Sequence, residues 1–557
     1  MAYLQKNPIA PTVDKLKHLK VLVVDDFVNF RKTVKGMLAS LGVAHIVEAF
    51  DGESALMRMA ASKYDIILCD YNLGPGRDGQ QVLEEAKHYN HIGYMTIFMM
   101  VTAENSMDMV MGVVEFMPDD YLMKPFTKQI LEKKLLSIME KKNALREIIQ
   151  TIESMDYEKA LALCDEAIVK SPKHIREILR MKGEIFAKSG DHKRTEAFYN
   201  EVSTMGKMPW ALFGLGKSQY LQGRLEDAKE TFTQLIKTND KVMVAYDWLA
   251  KILDATGNPQ EAQHVLVKAT KISPRALERQ RELGAIAHKN EDLKIAAKSF
   301  RAAIKYGTNS AFKAPSDYTT LAKVLVDADS PEESLRVLGD AHQVFPPSDL
   351  GATVQIGLAE SVVFQKLNRQ QDAREAIHKV IRATGKSHVK VPADVELELA
   401  KALILNGDPE KGKEIVRKLI QSNHENEKLI ADTTKMFEGL NMAKEGQELL
   451  GAAVEEVAEL NNQGVKLVKQ GDLAKATAYF DKAAKNLPDN TLINANAAYA
   501  HMLDMKKNGK TAEGIQKIKK YLEGVYRNDP RYRDLPNLLI VYREISKEPL
   551  SWMTATH

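Results

Sequence analysis

The chain has 557 residues, 44% of them hydrophobic and 27% charged, with a formal net charge of +3. One core cannot cover that length, so several compact units or an extended repeat are expected. Charge this evenly balanced gives no electrostatic case for nucleic acid or anionic lipid, and the two cysteines, Cys69 and Cys164, make neither a disulfide framework nor a metal site.

Residues 1–19 form an N-terminal extension without the apolar core of a signal peptide. Runs such as YMTIFMMV (94–101) are far too short to span a bilayer, so the expectation is a cytoplasmic protein with no membrane association.

Lys20–Val24 (KVLVV) is an apolar, β-branched run that ends in Asp25-Asp26. Phe30, Val34, Met37 and Leu38 then recur at helical spacing. A weaker strand is predicted over Ala44–Glu48, and a helix opens at Glu53–Met59. Ile66–Cys69 is a strand ending at Asp70, Gln80–Ala86 is helical, Tyr94–Val101 is a strand ending at Thr102, and Asp120–Met123 ends at Lys124-Pro125. A Lys-rich helix begins near Lys128.

Five strands alternating with helices predict a doubly wound parallel α/β sheet over residues 20–140. Asp25, Asp26, Asp70, Thr102 and Lys124 all fall at carboxyl ends of strands, where such a sheet gathers its ligand-binding residues along one edge. Clustered carboxylates repel: at an effective dielectric near 20, a pair about 4 Å apart costs roughly 4 kcal/mol. Such a cluster wants a cation, and hard oxygen ligands suit Mg²⁺. Beside the metal, an Asp is a competent nucleophile toward phosphorus, with Lys and a hydroxyl neutralising the transferred oxygens.

These residues, in the order VVDD, strand-end Asp, Thr-Ala and Lys-Pro, resemble the receiver domain of two-component response regulators over about Val21–Lys141, and among them the chemotaxis receivers. The resemblance implies that Asp70 is the phosphoacceptor, that Asp25, Asp26 and Asp70 hold Mg²⁺ with the backbone carbonyl of Asn72, and that Thr102 and Lys124 contact the phosphoryl group. It implies a cis peptide before Pro125. Tyr121 matches the aromatic switch that, with Thr102, couples phosphorylation to the surface of the fourth helix, fifth strand and fifth helix; on residue type alone it is half-buried packing. Asn72 and Glu104 match positions that tune loss of the phosphoryl group, and are otherwise solvated loop residues. The segment Leu73-Gly74-Pro75-Gly76-Arg77-Asp78-Gly79 departs from the family, being one residue longer and richer in glycine. Phosphatases of the haloacid dehalogenase type also use a strand-end Asp with Mg²⁺, but they need a second Asp two residues on as general acid. Asn72 stands there and cannot serve.

From residue 141 to 557 the chain repeats. Ala228, Ala262 and Ala296 lie 34 apart, as do Leu215, Leu249 and Leu283, while Gly216, Ala250 and Gly284 keep a small residue at another fixed position. Phe232, Leu266 and Phe300 follow the same step. This pattern resembles the tetratricopeptide repeat, and looser copies extend it to an all-α solenoid of about nine to eleven helical pairs, with an insertion at Gly307–Ala314. No Gly or Pro occurs from Lys128 through Ile152, so one helix either runs into the first repeat or breaks briefly at Lys141–Asn143. By family analogy Trp210, Phe213, Lys217 and Tyr220 face the groove; an aromatic residue at helical spacing is more often inter-repeat packing.

The resulting expectation is a response regulator, not an enzyme beyond its own phosphoryl transfer and loss. A histidine kinase or phosphotransfer protein would phosphorylate it, and a protein partner would bind the solenoid. No nucleic-acid-binding signature follows the receiver. The phosphorylated surface would mask, orient or dimerise the solenoid, a homodimer being one arrangement this allows. The alternative is a constitutive scaffold whose receiver only docks or dimerises.

Overall fold

The computed structural model describes residues 16–103, 117–206, 208–385, 392–530 and 532–546. The chain divides into two units, Met1–Ser330 and Pro331–His557.

The first unit opens with an α/β domain: β1 (Lys20–Val24), α1 (Val28–Ser40), β2 (His45–Ala49), α2 (Gly52–Ala61), β3 (Ile66–Asp70), α3 (Gly79–His88), β4 (Ile97–Ala103), β5 (Asp120–Lys124) and α4 (Lys128–Glu153). All strand pairs are parallel, in the order β2-β1-β3-β4-β5. β3 is buried along its whole length, as expected of a central strand covered on both faces. Because successive side chains point to opposite faces, one β3 run feeds two cores. Ile67 and Cys69 pack with Leu22, Val24 and Phe98 beneath α2 and α3, whereas Ile66 and Leu68 pack with Val21, Val23, Val34, Leu38, Leu131 and Leu135 beneath α1 and α4.

β4 begins at Ile97 rather than Tyr94, and continues through Thr102 to Ala103. Residues 94–96 are tied elsewhere: the buried Lys142 ammonium donates to the Tyr94 and Thr96 carbonyls at 2.6 and 2.8 Å and pairs with Asp119 at 2.8 Å. α4 is one helix of 26 residues with no break at 141–143, so the last helix of the α/β domain is also the first of the array.

Helices α5 (Tyr157–Lys170), α6 (Ile175–Ser189), α7 (His192–Thr204), α8 (Pro209–Leu221), α9 (Leu225–Thr238), α10 (Met243–Ala255), α11 (Pro259–Ile272), α12 (Leu277–Lys289), α13 (Leu293–Gly307) and α14 (Pro315–Asp327) complete the unit. Close approach explains the small residues of the repeat. A Cβ on Gly216 would lie 2.9 Å from the Phe232 ring, and one on Gly284 2.7 Å from the Phe300 ring. Ala228, Ala262 and Ala296 are fully buried on the facing helices.

The second unit is all-helical, running from Pro331–Val344 to Leu535–Ser546 through eleven helices among the described residues. Its helix Ala443–Lys469, 27 residues long, serves two hairpins in succession. Gly446 receives the Phe437 side chain near one end, and Gly464 receives the Phe480 ring near the other.

Candidate functional site

The parallel register brings the carboxyl ends of β1, β3, β4 and β5 to one edge of the sheet. Asp25 follows β1 and is buried, Asp26 is exposed, and Asp70, the last residue of β3, is 8% exposed. One carboxylate oxygen from each of the three lies within 4.8 Å of the others. The Lys124 ammonium, from the end of β5, bridges the cluster, at 2.7 Å from Asp25 Oδ2 and 2.8 Å from Asp70 Oδ2. Thr102 is wholly buried on β4, and the Lys124-Pro125 peptide is cis.

Electrostatics follow from this crowding. Burial pushes the Asp70 carboxyl up to about 6, and the neighbouring Asp25 and Asp26 charges add to the rise against the opposing pull of Lys124. Burial acts against the Lys124 charge as well, but the hydrogen bonds and charges of Asp25 and Asp70 outweigh it and raise its pKa. Lys124 thus brings one positive charge to a group of three carboxylates.

A response regulator receiver domain model matches residues 21–136, and tetratricopeptide repeat models match 210–241 and 244–275. Chemotaxis protein CheY of Pseudomonas aeruginosa is 33% identical over 125 residues, which are 22% of this chain and 99% of that protein. Chemotaxis protein CheY-3 of Vibrio cholerae serotype O1 is 32% identical over 125 residues, covering 22% of this chain and 95% of that protein. The chain belongs to the response-regulator family. Among solved structures, the receiver domain of NtrX from Brucella abortus is 26% identical, covering 22% of this chain and 98% of that one, with a TM-score of 0.20. This response regulator joins a receiver to tetratricopeptide repeats.

Other residues of the receiver fall as follows. Tyr121 on β5 is half-buried against the core beneath α2 and α3, and burial raises its hydroxyl to about 12. Asn72 is exposed, immediately beyond β3. Glu104 lies outside the described residues. Two site neighbours escape a reading by residue type. The Phe30 ring lies 4.1 Å beneath the Lys124 ammonium, and the Arg31 guanidinium donates to the Asp25 carbonyl at 2.6 Å. Phe30 carries only the signal of an apolar helix face; Arg31, charged yet 9% exposed, is visible only once burial is known.

Local contacts shape part of the receiver's long loop. Gly74 and Gly76 take positive φ, +76° and +104°, which glycine accepts without steric cost. Asp78 caps α3, accepting from the Gln81 amide at 2.9 Å while the Gln81 side chain accepts from the Asp78 amide at 3.0 Å. Gly79 is sterically required, since a Cβ there would overlap the Asp70 carbonyl oxygen. Arg77 pairs with Glu53 and with Glu85, the latter at 2.7 Å.

In the repeats, Trp210 packs edge-on to Tyr199 with ring centres 6.4 Å apart, Phe213 lies 5.9 Å from Phe232, and Tyr220 lies 5.0 Å from Trp248. Lys217 is exposed, with its ammonium 5.9 Å from the Trp248 ring. The three aromatic side chains therefore pack against neighbouring helices. Among the described residues, no helix is long and apolar enough to cross a membrane.

Proposed function

We propose that the receiver accepts a phosphoryl group on Asp70 from a histidine kinase or phosphotransfer protein, and that this event switches protein binding by the repeats. The observation carrying the reading is the Lys124 bridge between Asp25 and Asp70, at 2.7 and 2.8 Å, beside a third carboxylate. Asp25, Asp26 and Asp70, with the Asn72 carbonyl, would hold Mg²⁺, whose role when bound is to neutralise oxygens of the transferred group. That donor set fits: all oxygen, strongly anionic and open to water at Asp26.

Asp70 then forms a bond to phosphorus through a carboxylate oxygen as the bond from phosphorus to the donor nitrogen breaks, the bonding pair returning to that nitrogen. The oxygens of the group meet Lys124 and the Thr102 hydroxyl. Tyr121 and Thr102 form the switch, and Asn72 with Glu104 sets the lifetime. The phosphoryl group adds about −1.5 to −2 charge at neutral pH, enough to rearrange a partly buried polar site. Protein partners bind the solenoid, with the face carrying Trp210, Phe213, Lys217 and Tyr220 as the first to probe.

Incubation of the full chain with acetyl phosphate and Mg²⁺ tests this. The wild type is expected to gain one phosphoryl group by mass, Asp70→Asn none, and chelation of Mg²⁺ to abolish the gain. Partner capture by wild type and Asp70→Ala is then compared under phosphorylating conditions. Equal affinities would favour a constitutive scaffold and end the switch reading.

A further inference from the structure

Two departures from the family or repeat pattern meet in the structure. One is the receiver loop from Leu73 to Gly79; the other is the insertion after α13. Asn309, in that insertion, donates from its side-chain amide to the Gly76 carbonyl at 2.9 Å. Gln81, on the first turn of α3, donates to the Tyr306 carbonyl at 3.3 Å, and the His88 ring meets the Phe312 ring edge-on at 5.0 Å. Arg275, in the turn between α11 and α12, donates to the Tyr71 hydroxyl at 3.2 Å and pairs with Asp78 at 3.4 Å.

The same loop touches the carboxylate cluster from its other flank. A Cβ on Gly74 would stand 3.5 Å from Asp26 Oδ2, Tyr71 is the residue after Asp70, and the Gly79 amide donates to the Tyr71 carbonyl at 2.8 Å. A segment with glycines at two left-handed positions loses much conformational freedom when ordered. Contacts from the repeats order it in advance, leaving less to be lost when a cation binds.

We propose that the repeats position the receiver's phosphorylation loop, with Arg275 and Asn309 as the positioning residues, so that cation affinity at the cluster depends on the solenoid. The proposal rests on the reading of the cluster as an Mg²⁺ site that serves Asp70. Linkage makes the effect reciprocal: a cation bound at the cluster must tighten the contact with the repeats by the same factor.

The test uses the full chain and Mg²⁺ alone. The Arg275 side chain is 42% exposed, so the double variant Arg275→Ala with Asn309→Ala removes contacts without opening a core. Calorimetry should show Mg²⁺ affinity weakened roughly fivefold. Hydrogen exchange over residues 71–81 should speed up in the metal-free variant, with thermal unfolding lowered by no more than a few degrees. Tyr71→Phe, which keeps the ring and loses one acceptor of Arg275, should move both readouts the same way by less. Saturating Mg²⁺ should slow exchange at 306–312 in the wild type and not in the double variant. Unchanged or tighter Mg²⁺ binding in the double variant overturns the proposal. Acetyl phosphate separates this from the reading beneath it. Phosphoryl uptake by the wild type with equal Mg²⁺ affinities sinks the positioning role alone, whereas weakened affinity with no uptake on Asp70 sinks the phosphoacceptor role alone.

Discussion

Asp70 shows how one residue is set against its surroundings. In an unfolded chain its carboxyl titrates near 3.8, and in the metal-free receiver burial holds it at about 6. An acid whose pKa is raised by folding contributes stability below its unfolded value and loses it as the pH rises through its folded value. Between about pH 4 and pH 7 the metal-free receiver therefore comes to bear the cost of an ionised, buried Asp70, on the order of 3 kcal/mol with the pull of Lys124 already included. Asp70→Asn carries no such charge. Metal-free thermal melts should show its advantage over wild type growing from about pH 4.5 to pH 7.5, and saturating Mg²⁺ should reverse the order at the higher pH. A gain independent of pH would contradict the burial argument. That Asp25, Asp26, Asp70, Thr102 and Lys124 gather at one edge is legible from position alone, because a parallel sheet sends the ends of its strands to one place. The placement of Arg275 and Asn309 is not, since no local pattern relates a residue near 275 or 309 to a loop some 200 positions earlier.

At the scale of elements, sequence served best where packing is periodic. β1 and β3 are continuous apolar runs because both faces of the sheet are covered, and the 34-residue step of Leu215, Leu249 and Leu283 reflects helices that each meet the same neighbour in turn. Boundaries failed where a distant partner decides them, as Lys142 does for residues 94–96. The glycine of each repeat supplies a sharp test. Gly284→Ala drives a methyl into the Phe300 ring, which would lie 2.7 Å away with buried neighbours around it. Overpacking of this kind costs about 1–3 kcal/mol. Denaturant unfolding should show that loss for Gly284→Ala and a smaller one when Phe300→Leu is added to it than the two single changes sum to, a coupling expected only of residues in contact. Additive losses would remove Gly284 and Phe300 from direct contact.

At the scale of the first unit, the receiver and the repeats are joined, among the described residues, by the unbroken α4 and also by the contacts of Arg275, Tyr306, Asn309 and Phe312 with the loop and α3. The second junction is made of few and partly exposed groups, each contributing on the order of 1 kcal/mol. Such weak contacts persist only if their partners are held at high effective concentration, and the packing of successive helices from α4 onward supplies that condition. α4 sets the direction in which the array leaves the receiver. Asn143, exposed and in the interior of α4, is a place to test this without touching either junction's side chains. Asn143→Pro removes one helical hydrogen bond, kinks the helix and costs about 3 kcal/mol, whereas Asn143→Ala should be nearly neutral. If α4 aims the repeats at the loop, the proline variant should raise hydrogen exchange over residues 71–81 as much as loss of Arg275 does, although 143 makes no contact there. Calorimetric scans should then resolve unfolding of the receiver from that of the repeats. Normal protection of 71–81 in Asn143→Pro would mean that the loop contacts hold the two parts together by themselves, and that the continuity of α4 serves only its own packing.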